Sequence, residues 1–181
     1  LIDRLTVDGL ELKAGADLTG FSRRDAALGQ DATDGQVKIE VDQKGLEASG
    51  RASLGGVPLD LRLSQPFARS GPYLSRIQAK GRVDAAGRAR LGFDTRPFVD
   101  GPVDLDLDYT ERRGGEALVA INAGLEQAQV TLSAVGWEKR PGVAMTARFE
   151  VPLKDQRPLS VRNVNVRSAN ARLDAAIGSG A

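Results

Sequence analysis

Ala48-Ser-Gly-Arg-Ala-Ser-Leu-Gly-Gly-Val-Pro-Leu-Asp-Leu-Arg-Leu63 is the stretch that decides how this chain folds. On both sides of Gly55-Gly56 an apolar or small residue alternates with its neighbour. That period of two sends successive side chains to opposite faces of a β-strand. Two glycines between two such runs accept a positive φ at both positions, as the tightest hairpin turn requires. Closing the chain there pairs Leu54 with Val57, Ala52 with Leu59, Gly50 with Leu61 and Ala48 with Leu63, all eight on one face. Arg51, Ser53, Asp60 and Arg62 share the other face, which must be solvated.

The same alternation recurs on either side of this hairpin. Val37, Ile39 and Val41 alternate before it; Val103, Leu105 and Leu107 alternate after it with Asp104, Asp106 and Asp108. Val119 and Ile121 mark a strand over 117–123, and Ala128, Val130, Leu132 and Ala134 mark the next. The run 143–153 carries Met145, Phe149 and Val151 at its odd positions. Leu159, Val161, Val164 and Val166 suggest one or two last strands. Asp42-Gln-Lys-Gly45, Glu111-Arg-Arg-Gly-Gly115 and Gly136-Trp-Glu-Lys-Arg-Pro-Gly142 have turn chemistry. The expectation is an all-β chain, a long antiparallel meander with one continuous apolar face and little helix. The single stretch of helical character is 84–92, which Gly87 weakens.

At its start, Leu5 and Val7, then Leu10, Leu12 and Leu18 around Asp8-Gly9, read as a strand pair. Residues 21–35 read as loop, and Phe98–Pro102 as a turn. Residues 1–175 are expected to form one elongated segment, with the loop at 64–73 the strongest candidate for a subdivision. Residues 176–181 read as a tail or linker. The chain opens at Leu1 rather than Met and reads as a piece of something longer.

Composition narrows the chemistry. Among 181 residues there is no Cys and no His, which excludes disulfides, thiolate chemistry, imidazole metal sites and His-based triads. Net charge is +1 with both signs scattered, so no basic run marks a nucleic-acid partner. Aromatic residues are only 4%, so the apolar face is built from Val, Leu, Ile and Ala. No apolar run approaches the roughly 20 residues of a membrane-spanning helix. The strand runs are mostly shorter than the roughly 9–11 residues of a spanning barrel strand.

Asp104, Asp106 and Asp108 on one strand face could attract a hard cation, yet same-face neighbours stand about 7 Å apart, and a solvated face explains them better. Neither a GxGxxG nor a GxxxxGK[ST] spacing occurs, and no Ser-x-x-Lys motif is present. The residues therefore point to no enzyme and no cofactor. A continuous aliphatic face needs either a second layer, as in a closed β-sandwich or β-solenoid interaction module, or a ligand. Trp137 and Lys139 in the 136–142 corner are candidates for a lipid-headgroup or corner contact. The structural reading has Trp137 covering the end of the sheet while Pro141-Gly142 reverses the chain.

Several phrases in order resemble the AsmA-like superfamily, especially its YhdP-type, TamB-related periplasmic members. These are 45–61 with its Gly-Gly-Val-Pro-Leu, then Gly101-Pro-Val-Asp-Leu105, then 128–149 with its Gly-Trp-Glu-Lys-Arg-Pro-Gly. The resemblance spans roughly residues 30–155. It implies a sheet curled into an open U-shaped groove. It also implies the periplasmic part of an inner-membrane-anchored bacterial envelope protein that carries phospholipid towards the outer membrane. Val37, Ile39, Val41, Leu59, Leu61, Leu105, Leu107, Val119, Ile121, Val130, Leu132, Met145, Phe149 and Val151 would then line the groove. The expected partners are phospholipid, neighbouring groove segments of the same parent chain and, through exposed sheet edges, further copies of the chain.

Overall fold

The structure, a computed structural model, describes residues 13–68, 71–155, 157–169 and 171–178. The strand expected over 1–7 and the end of the tail lie outside the described residues. Ten strands follow one another across a single antiparallel sheet. They are β1 (Lys13–Ala27), β2 (Gln30–Asp42), β3 (Gly45–Leu54), β4 (Val57–Pro66), β5 (Ser75–Val83), β7 (Val103–Glu111), β8 (Glu116–Gly124), β11 (Met145–Lys154), β13 (Ser160–Ser168) and β14 (Arg172–Gly178). The short β12 (Arg157–Pro158) adds to the end of β11. β6 (Val99–Asp100), β9 (Gln129–Leu132) and β10 (Trp137–Lys139) form a second, three-stranded sheet, and α1 (Ala85–Arg90) is a short helix. The large sheet is open and curled: among the described residues β1 and β14 are its two edges, and it does not close into a barrel.

The opening hairpin has the register read from its sequence. Leu54 faces Val57, Ala52 faces Leu59, Gly50 faces Leu61 and Ala48 faces Leu63. Gly55 and Gly56 both have positive φ, 54° and 77°. At the next turn back, the Asp42 carboxylate accepts hydrogen bonds from the N–H groups of Lys44 and Gly45 at 2.7 and 3.1 Å, fixing the reversal locally.

Two expectations are corrected. Residues 21–35 are not a loop but the end of β1 and the start of β2, joined at Leu28-Gly29. Their alternation is hidden because the pairing is bulged. Register shifts fall between Thr19 and Phe21, Phe21 and Arg23, and Arg23 and Ala27, and each extra residue flips the face. Nor does the strand expected over 128–134, observed as β9 (Gln129–Leu132), continue the meander. β9 pairs with β6 and β10, away from β8 and β11, which pair directly with each other. A period of two identifies a strand but not its sheet. The turn expected at Phe98–Pro102 also contains β6, whose Val99 pairs with Val130.

The stretch 84–92 does form a helix. The Asp84 side chain caps it by accepting from the Gly87 N–H. Gly87 is there for packing, since a Cβ would stand 3.0 Å from Val57 Cγ2, Val83 Cγ1 and Asp84 Oδ1.

Candidate functional site

Register carries the apolar positions across the whole sheet in rows. One row runs Leu18, Val37, Gly50, Leu61, Ala79, Leu107, Ile121 and Phe149. Beside it run Ala16, Ile39, Ala48, Leu63, Ile77, Tyr109, Val119 and Val151. Each row crosses eight strands, a span of roughly 34 Å at about 4.8 Å per strand. Small residues on β3 (Ala48, Gly50, Ala52) sit between the larger side chains of β2 and β4.

These rows are neither core nor free surface. Val37, Ile39, Val41, Leu61, Leu107, Val119, Ile121, Phe149 and Val151 are all half-buried, and Leu18 and Ile77 are exposed. No described element packs a second layer over them.

At one end of the strands the same face is covered. There α1 lies over Val57 and Val83 through Leu91, with Leu54, Leu59 and Leu105 packed alongside. The three-stranded sheet brings Ala128 and Val130 onto Val103, Ala123 and Met145, with Trp137 against the same cluster. This covered end holds nearly all the fully buried apolar side chains among the described residues.

The groove-lining set therefore divides. Leu59 and Leu105 stand at the boundary between the covered and open parts. Met145 is buried in the covered core, not on the open face. Val130 and Leu132 belong to the covering sheet; Val130 is buried, whereas Leu132 points beyond the cluster and is exposed.

Lys139 is not an outward contact. Its side chain is buried and its ammonium donates to the carbonyls of Glu126 and Arg140 at 3.1 and 3.0 Å. Desolvation pulls its pKa below the usual lysine range. Trp137 is half-buried beside it in register, facing Leu132.

The sequence gives no sign of the strongest polar feature, Arg88. Only 5% exposed, it donates to Thr95 Oγ1 and to the carbonyls of Val83, Gly101 and Val99 at 2.7–3.1 Å. It ties α1, the end of β5 and β6 into one unit. Burial pushes its pKa down, against the pull of Asp100, Asp84 and Asp94.

The opposite face is charged and self-paired. Arg82 and Lys80 on β5 face Asp104 and Asp106 on β7 in register, while Asp108 faces Gln78 and is reached diagonally by Arg76, whose own register partner is Thr110. Arg82 and Lys80 bond their partners at 2.7 Å, and Arg76 bonds Asp108. Arg51 likewise meets Asp60 at 2.7 Å. The three aspartates are rungs of a cross-strand ladder, not a converging ligand set. Hydrogen bonding to Arg82 and Arg76 lowers the pKa of Asp104 and Asp108. A shallow depression of about 460 Å³ on this face is floored by the Arg82–Asp104 and Lys80–Asp106 pairs and by Asp60, which Arg51 engages, so its charges are already matched.

The chain matches no family model, no curated protein and no solved structure.

Proposed function

We propose that this chain is a segment of an envelope lipid-transfer protein, and that its open apolar face takes the acyl chains of phospholipid moving between inner and outer membranes. One observation carries the reading: aliphatic rows cross eight strands in register and stay half-exposed, with no described element above them. Such a face stabilises an alkyl chain without demanding a particular geometry, at about 0.8 kcal/mol per buried CH₂. Its width lies between the covered end and the far turns. The charged face opposite stays in water, and headgroups remain solvated at the margin. In this reading the chain is a non-enzymatic periplasmic module of a longer, membrane-anchored parent, the setting that the resemblance to AsmA-like proteins implies.

Native mass spectrometry of protein purified from a bacterial host tests it directly. Bound phospholipid is expected, and a photo-crosslinker at Leu61 or Leu107 should label it while one at Arg51 should not. Protein that carries no lipid and shows no labelling at either apolar position would overturn the proposal.

A further inference from the structure

The β14 edge of the sheet has a self-complementary order of side chains. Among the described residues β14 pairs on one side only, with β13. The Ser168 N–H donates to the Ala171 carbonyl across the closing turn, so the backbone groups of Ala171 and Leu173 point towards β13. Those of Arg172 and Asp174 consequently point outward, where an antiparallel ladder could continue and no described strand pairs with them. Their side chains share the charged face, where Arg172 Nε lies 2.8 Å from Asp174 Oδ2, and both are more than half exposed. Leu173 stands between them on the apolar face, 54% exposed.

We propose that β14 is a dimerisation edge at which two copies of this chain pair β14 to β14 about a two-fold axis at Leu173. An antiparallel second copy centred there sets each Arg172 opposite Asp174 of the other chain. Leu173 then meets its own counterpart and Ala171 meets Ala175. Directly opposed side chains have Cβ atoms about 4.5–5.5 Å apart, closer than the roughly 7 Å between same-face neighbours on one strand. Each arginine thus has a second carboxylate within reach across the axis, beside its own. The axis runs perpendicular to the sheet, so both apolar faces stay on the same side and the rows continue from one copy into the next. The interface is isologous and closes at two chains.

The other edge is built differently. β1 breaks register three times, with positive φ at Gly20 and Asp25, and such bulges blunt an edge against pairing. In the β13–β14 pair the single register shift falls on β13, where Asn163 has positive φ, and leaves β14 regular.

Sedimentation velocity on the 181-residue chain over a wide concentration range tests the proposal. A discrete monomer–dimer equilibrium is expected. Arg172→Asp and Asp174→Arg each set like charges opposite one another twice, and each should weaken the dimer roughly tenfold or more. Mixing the two variants should restore it, because an acidic edge then meets a basic one. A wild-type chain that stays monomeric throughout overturns the proposal, as does association unmoved by either substitution or not restored by the mixture. Open-ended growth in place of a dimer also overturns it, since that is the signature of β14 pairing head-to-tail with β1. The test is independent of lipid, so it stands or falls apart from the transfer reading.

Discussion

The covered end and the open middle of the sheet have the same alternation and differ only in what lies above them. At the covered end, Val57, Val83, Val103 and Met145 are buried beneath α1 and the three-stranded sheet. A few residues along the same strands, Leu61, Leu107 and Ile121 are half-exposed. The cover is held by two buried cations that bond carbonyls instead of carboxylates: Arg88 of α1 and Lys139 at the end of β10. Stability is therefore concentrated at one end, and an open apolar surface is left at the other. A module built this way can present an apolar face without depending on that face to stay folded.

The largest test of this division is Arg88→Ala. It strips three backbone carbonyls and Thr95 of a buried donor, and each unsatisfied group costs about 1–3 kcal/mol. We expect a loss of roughly 3 kcal/mol or more in urea unfolding, with the open rows unchanged. A variant as stable as wild type would show that the cover is not held as described.

Next in size is a matched pair, Val83→Ala and Leu61→Ala. Val83 is 1% exposed, and emptying its place should cost about 2 kcal/mol. Leu61 is the larger residue, yet its removal should cost less than about 1 kcal/mol because its surroundings are already open. Under the proposed lipid-binding function, Leu61→Asp should abolish lipid retention, while Arg51→Glu on the charged face should leave it intact. Equal losses from the two alanine substitutions would erase the distinction between core and open face.

Gly87→Ala sharpens the comparison at smaller scale. Helix propensity alone favours alanine by about 1 kcal/mol. Here the added methyl meets Val57 and Val83 at 3.0 Å, so thermal unfolding should show a net loss of roughly 1 kcal/mol instead.

The smallest effect is expected from acid. Hydrogen bonds from the Arg96 side chain and backbone hold Asp94 at about 2, and Asp104 and Asp108 are lowered by their arginines. Carboxylates depressed in the folded state contribute stability that is present above their unfolded pKa, near 4, and is lost as pH falls through the folded value. Stability should therefore slope downward from about pH 4 towards pH 2. The slope should flatten in Asp104→Asn/Asp108→Asn and in high salt, because these pairs are exposed and screened. An unchanged slope in the double variant would remove the ladder from the account.

Much of this was legible from residues alone. Gly55-Gly56 and its flanking alternation determined a hairpin and its register, because a two-residue turn leaves no freedom to slip. The helical character of 84–92 marked the place of α1, though not its Asp84 cap. The lack of His and Cys removed whole classes of chemistry. Bulged β1 was not legible, because each inserted residue reverses the face and breaks the period. The place of β9 was not legible either, because Val130 and Leu132 alternate like any strand whichever sheet they join. Nor was the burial of Lys139, whose partners are carbonyls and leave no trace in side-chain pattern.

By itself, then, the sequence determined that this protein is a meander with one aliphatic and one charged face, since alternation and turn chemistry are local properties of the chain. Only the tertiary structure decided where that aliphatic face is covered and where it is left open. Cover depends on contacts between residues far apart in sequence, such as Leu91 on Val57 and Val130 on Met145, and those depend on how distant segments meet.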